Sequence, residues 1–104
     1  GAGSGGYRIQ TGVLHTFMNV ADHGMAVQAA LVHPRVHCQG DETFVDARIP
    51  EAVRARLARA GHRLAVVEEG PGALNFGRIV ALARSGRGWS VGGYPAWRTS
   101  TAGV

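Results

Sequence analysis

The chain contains no lysine: all eleven of its basic residues are arginine. Such one-sided usage follows more simply from a GC-rich genome than from selection for phosphate contacts. The arginines are also dispersed, as Arg8, Arg35, Arg48, Arg63, Arg78, Arg84, Arg87 and Arg98, with only Arg54, Arg56 and Arg59 forming a cluster of three. A net charge of +4 spread in this way points away from nucleic acid, whose recognition needs a basic stripe on one face. Cysteine is nearly missing as well. The single Cys38 excludes an internal disulfide and a cysteine-based zinc site, and reads as a small buried hydrophobe. No run of eighteen apolar residues is present, so no membrane-spanning helix is expected, and the opening residues lack the charged-then-apolar pattern of a signal peptide. The chain starts at Gly1 rather than Met, which is compatible with an upstream segment, and nothing in it points to a cellular compartment.

Apolar residues, by contrast, make up 45% of the chain. That argues against disorder and for a packed core. A length of 104 residues suits one small domain or a piece of a larger one.

The apolar spacing changes period along the chain. In "RIQTGVLHTFM", Ile9, Val13 and Phe17 stand four apart with Leu14 and Met18 beside them, which predicts one apolar stripe on a helix ending near Asp22, His23 and Gly24. "MAVQAALVH" predicts a second helix that stops at His33, because Pro34 disfavours a helical residue before it. "RVHCQG" and "TFVDARI" read as two strands around a turn at "GDE". Pro50 opens a third helix, "PEAVRARLARAG", with Glu51 near the positive end of its dipole, Val53 and Leu57 on its inner face and Gly61 as terminator. "HRLAVVEEG" is a further strand, and "GRIVALAR" with "WSVGGY" forms a hairpin turning at Ser85 to Gly88. Trp89 and Trp97 read as packing residues, and the tail "AWRTSTAGV" carries little pattern. The expected fold class is therefore α+β, helices packed on a sheet built mostly by the second half.

Several polar residues have simple structural roles open to them. Asn19 and Asp22 suit a helix end and a turn. Arg35 suits pairing with buried carbonyls or a carboxylate, and His37 suits a satisfied core histidine. His62, after Gly61, places a cation-capable group near a helix C-terminus. His33, His37, Cys38 and Asp41 crowd ligand types together, but Pro34 breaks the helical spacing and no complete tetrahedral set results. No metal and no cofactor are expected.

The opening "GAGSGG" admits three readings. A phosphate-binding or dinucleotide-binding loop needs a strand before it, and none precedes Gly1 in the sequence. A flexible Gly/Ser linker is the second. The third comes from the rest of the chain. Gly5 and Gly6 are followed by Arg8 and Ile9; Asn19, Asp22, Gly24 and Met25 form Asn-x-x-Asp-x-Gly-Met; Ala30, Pro34, Arg35 and His37 form a second segment; and Gly61 and His62 make a turn before a strand. In that order and spacing, over roughly the first seventy residues, the chain resembles the C-terminal part of the small subunit of gamma-glutamyltransferases.

That resemblance implies a fold and a chemistry. The fold would be a fragment of an N-terminal-nucleophile hydrolase αββα sandwich, with residues 1–104 as one domain of the small subunit. The chemistry would be attack by an N-terminal Thr on the γ-carbonyl of a glutathione-type amide, through an acyl-enzyme resolved by water or an amino-acid acceptor, after the precursor has cut itself. Gly5 and Gly6 would be the backbone oxyanion donors, since glycines let amide N–H groups approach closely, and Ser4 would belong to the substrate loop. The Thr would lie well upstream of Gly1; Thr11, Thr16 and Thr43 fit no such role. The segment alone is thus expected to be inactive, with the remainder of the small subunit and a large subunit as partners and a γ-glutamyl small molecule as substrate. Two departures stand out: Ala2, Gly3 and Ser4 precede the glycine pair where the family commonly has Gly-Ser-Pro, and Tyr94 stands where a C-terminal Asp-Pro-Arg segment would place its Asp. The alternative reading is a non-catalytic scaffold or partner subunit derived from that fold, exposing the face that would pack on its missing half.

Overall fold

The computed structural model describes residues 1–95, except for the side chain of Ser4. The elements run β1 (Ala2–Ser4), α1 (Arg8–Ala21), α2 (Val27–Val32), β2 (Val36–Gln39), β3 (Glu42–Asp46), α3 (Glu51–Arg59), β4 (Leu64–Val67), β5 (Arg78–Ser85) and β6 (Gly88–Gly93). They form two three-stranded sheets, β1-β5-β6 and β2-β3-β4. Pairing is antiparallel for β1 with β5, β5 with β6 and β2 with β3. β3 and β4 are parallel, and α3 is the crossover such a pair requires. The architecture is α+β with mainly antiparallel sheets, divided into two small sheets.

Local chemistry sets most boundaries. His33, preceding Pro34, is extended with ψ 141° and ends α2, the steric consequence of the proline ring. The β5–β6 hairpin turns through Gly86 at φ 58°, a conformation that favours glycine. α2 begins two residues later than the spacing predicts. Gly24 and Met25 are used to reverse the chain, and the Met25 N–H donates to the Asn19 carbonyl at 2.9 Å.

The core is a cluster of Val27, Leu31 and Ile79, against which Ile9, Val13, Val20, Ala81 and Ala83 pack. It corrects the predicted stripe on α1. The buried face of that helix runs through Ile9, Gly12, Val13, Thr16 and Val20, whereas Phe17 is 65% exposed and Leu14 and Met18 are exposed too. The reason is close approach: a methyl on Gly12 would stand 2.9 Å from the Ile79 Cδ1, so the helix seats by its smallest residue. Thr16 is tolerated there because its hydroxyl donates to the Gly12 carbonyl at 2.8 Å.

Other expectations also give way. Val53 is exposed and α3 buries no residue fully; among the described residues its main packing partner is β4. Cys38 is exposed, with its thiol 3.4 Å from the Thr43 hydroxyl. Trp89 is exposed on the outer side of the hairpin. The opening residues, read as loop or linker, include a strand that sequence patterning gave no sign of. Trp97 and the tail from residue 96 onward lie outside the described residues.

Candidate functional site

The glycine pair sits between an edge strand and a helix. After β1, which pairs Ser4 with Arg78, the chain turns through Gly5 at φ 131° and Gly6 at φ 64° and enters α1 at Arg8. The Ile9 N–H donates to the Gly6 carbonyl at 3.1 Å. No side chain caps this helix and its first turn carries no acid. The positive end of the helix dipole beside the glycine pair is thus left without a neutralising group from its own first turn.

The two glycines answer different constraints. A methyl on Gly5 would lie 2.9 Å from the Gly77 Cα, so the turn and that backbone are in direct contact. Around Gly6 nothing lies within 4 Å of the corresponding position. One glycine therefore seats the loop on the protein, and the other has open space where a side chain would stand.

Behind the loop lies a set of charge-assisted bonds to main-chain atoms. The Arg8 guanidinium donates to the Asn75 carbonyl at 2.8 Å and lies 4.9 Å over the Phe44 ring. Asn75 in turn donates its N–H to Glu69 Oε2 at 2.6 Å and its Nδ2 to the Glu68 carbonyl at 2.7 Å. Arg35 is 3% exposed; its Nη1 donates to the carbonyls of Phe76 (3.1 Å) and Gly77 (3.2 Å), and its Nη2 to that of Leu31 (2.5 Å). The Tyr94 ring covers this guanidinium at 4.9 Å. Burial, and then the nearby Glu69 carboxylate, push the Tyr94 phenol up to about 12, against the opposing pull of Arg35. Tyr94 is therefore neutral at physiological pH.

The other predicted residues fall in three places. His37, also buried, lies on β2 with its Nδ1 2.8 Å from the Thr11 hydroxyl of α1 and its Nε2 3.4 Å from Gln39 Oε1. Asn19 and Asp22 close the far end of α1, Asn19 through its carbonyl and Asp22 as the C-cap residue, its N–H donating to Met18 at 2.8 Å. Ser4 ends β1 next to the glycine pair, and its side chain lies outside the described part of the structure. A cleft between α1 and the segment before β2 is lined by His15, His23 and His33; burial and then the charge of Arg35 lower the His15 pKa. Among the described residues, no three His, Cys, Asp or Glu side chains are placed to hold a metal ion.

The structure thus brings Arg35 to the segment that carries Gly5, Gly6 and Arg8, far from it in sequence, and adds Asn75, Phe76 and Gly77. Sequence patterning assigned nothing to this last group beyond the start of a strand. Its only signal is Gly77 itself, a glycine at a strand entrance, which marks close backbone approach.

A family model described as Gamma-glutamyltranspeptidase matches residues 2–104. Gamma-glutamyltranspeptidase from Pseudomonas nitroreducens superposes with a TM-score of 0.79 at 26% identity, covering 98% of this chain and 53% of that one. Cephalosporin acylase from Bacillus halodurans gives a TM-score of 0.79 at 28% identity, covering 94% of this chain and 20% of that one. Over 60 residues, the chain is 37% identical to the Acylase ACY 1 proenzyme of a Pseudomonas species, covering 58% of this chain and 11% of that protein. This chain therefore spans about half of the first of these proteins and smaller fractions of the others. Its α+β fold is that of these N-terminal-nucleophile hydrolases, and the chain belongs to the gamma-glutamyltranspeptidase family.

Proposed function

We propose that residues 1–104 form the C-terminal part of the small subunit of a γ-glutamyl-transferring or -hydrolysing enzyme and supply its oxyanion loop. The observation that carries this reading is the glycine pair at the uncapped start of α1, with Gly5 seated on Gly77 and Gly6 open. An N-terminal Thr of the same subunit, upstream of Gly1 and exposed by self-cleavage, attacks the γ-carbonyl carbon of a glutathione-type amide. Its hydroxyl proton passes to its own α-amine, a C–O bond forms, and the carbonyl oxygen becomes an oxyanion. The Gly5 and Gly6 N–H groups donate to that oxyanion. When the C–N bond breaks, the leaving amine takes the proton and an acyl-enzyme remains; water or an amino-acid amine then attacks the acyl carbon by the reverse sequence. Ser4, at the end of β1, belongs to the loop that faces the substrate. The rest of the small subunit and the large subunit cover the exposed apolar faces of this chain.

The test uses the natural full-length protein and release of p-nitroaniline from γ-glutamyl-p-nitroanilide, with N-terminal sequencing of its chains. A subunit beginning with Thr upstream of Gly1, together with a kcat loss of about a hundredfold or more for Gly5→Ala, is the expected result. A natural protein with no such Thr and no activity overturns the reading and leaves the scaffold alternative.

A second reading concerns the acyl group. Acylases stand among the similar proteins beside the transpeptidase, one at 37% identity over 60 residues and a cephalosporin acylase at the same TM-score of 0.79, which supports an amide other than glutathione as substrate. The nucleophile and oxyanion loop are the same in that case. Comparing kcat/KM for γ-glutamyl-p-nitroanilide with that for a cephalosporin side-chain amide separates the two.

A further inference from the structure

We propose that Arg35 is a positioning residue for the Gly5 and Gly6 amides, acting through the backbone of Phe76 and Gly77, with Tyr94 as the aromatic cover of its guanidinium. The inference rests on the oxyanion reading above. It begins with the contact between Gly5 and Gly77. With only 2.9 Å between a Gly5 methyl position and the Gly77 Cα, the location of the Gly77 backbone dictates where the Gly5 N–H can be. Gly77 is itself in the left-handed region, at φ 73°, so its neighbourhood is not held by strand geometry alone.

Arg35 holds it from the other side. One nitrogen donates to the two successive carbonyls of Phe76 and Gly77, and the second donates to Leu31 at the end of α2. A single planar fork thereby ties the turn under the loop to the helix layer. The same Phe76 carbonyl lies 3.2 Å from the methyl position of Gly12 on α1, so a shift of this turn would press on α1 as well. The fork geometry matters because a lysine ammonium is a point charge on a flexible stem and cannot hold these carbonyls in one plane.

Nor is Arg35 explained as an ion-pair member. Arg48 is the residue in ion-pair contact with Asp46, whereas the Arg35 guanidinium makes its hydrogen bonds to three carbonyls and lies under the Tyr94 ring, with the Glu69 and Asp46 carboxylates favouring its charge from further away. Such a ring–cation contact is strongest when desolvated, and both groups are buried. The outcome is a buried cation whose bonds end on the backbone beneath the glycine pair.

The decisive measurement is the kinetics of Arg35→Lys, Arg35→Met and Tyr94→Leu in the full-length processed protein, with competent sites counted by the burst of p-nitroaniline from γ-glutamyl-p-nitroanilide and Tm recorded alongside. The expected result for Arg35→Lys is a fall in kcat per competent site of about 10- to 100-fold, the scale of a misplacement near 1 Å, with KM changed by less than about threefold. Tyr94→Leu is expected to follow in the same direction with a smaller loss. If Arg35→Met does not fold, Arg35→Lys decides. A lowered Tm with kcat per site unchanged in Arg35→Lys makes the residue purely structural and overturns the proposal. Gly5→Ala measured in the same assay separates the two failures: unchanged kcat there overturns the oxyanion reading itself, whereas a large loss there with normal Arg35→Lys kinetics overturns only the role of Arg35.

Discussion

On the inner face of the β1-β5-β6 sheet, Ile79 is 1% exposed beneath α1 and α2, whereas its neighbour Val80, on the outer face, is 44% exposed. The alternation continues in the same sense. Ala81 and Ala83 pack inward on the core, and Leu82, with Val91 opposite it and Trp89 further along the same face opposite Arg84, points outward and is exposed. A sheet solvated on one side shows polar residues on that side, and an apolar run on both faces belongs to a sheet covered twice. The inner face is a finished core with methyl-scale fit, since Ile79 is wedged between the methyl positions of Gly3 (2.6 Å) and Gly12 (2.9 Å). By composition the outer face is a core too, and it supports the second sheet layer and subunit contacts proposed above. A cleft of about 250 Å³ lined by Val13, Phe17, Val20 and Leu82 lies beside the inner core.

Substitutions on the two faces sharpen or erase this contrast. The largest effect is expected from Ile79→Ala, which should lower the unfolding free energy by about 2–5 kcal/mol, read from urea denaturation. Next is Gly92→Ala, also on the inner side. Its methyl would stand 2.7 Å from the Leu31 Cδ1 and 3.2 Å from the Gln28 Cα, an overpacking cost of about 1–3 kcal/mol. On the outer face, Leu82→Gln should change the stability of the 104-residue chain by no more than about 0.5 kcal/mol, while destabilising the full-length protein by several times that. Equal effects in the two would show that the outer face has no cover.

The smallest effect lies on the other sheet, at Asp46. Burial raises its carboxyl pKa, but the Arg48 side-chain and backbone hydrogen bonds and the Arg48 charge outweigh this, and the net shift is downward. A carboxyl whose pKa is lowered on folding contributes stability that is fully present above its unfolded value, near 3.8, and lost as the pH falls through the folded pKa. Asp46→Asn should therefore flatten the acid limb of a Tm-against-pH curve below about pH 4. Unchanged acid sensitivity in that variant would assign the limb to other groups.

Helix and strand identities were legible wherever one residue type carried the signal. Pro34 marked the end of α2, the "GDE" turn separated β2 from β3, and Ser85 to Gly88 marked the hairpin. The seating of α1 was not legible, because hydropathy ranks Phe17 and Leu14 above Gly12 and Thr16, while contact with Ile79 rewards small size. Cys38 and Trp89 were misjudged for a related reason: apolar character says that a side chain gains from burial, not that a partner is there to bury it. At the candidate site, the spacing of motifs pointed to the glycine pair, but nothing in it pointed to the backbone on which the pair rests. Asn75, Phe76 and Gly77 act through backbone carbonyls, which every residue has.

By itself the sequence determined the order of helices and strands from α1 onward, the family and the position of the glycine pair, because these depend on local spacing and on residue types few in number. Only the tertiary structure decided that Gly5 rests on Gly77, that Arg35, between α2 and β2, holds that backbone, and that one face of a sheet is finished while the other is bare. Each of these depends on atoms tens of residues apart meeting within about 3 Å, as hydrogen bonds require, and no pattern along one strand or helix records that distance.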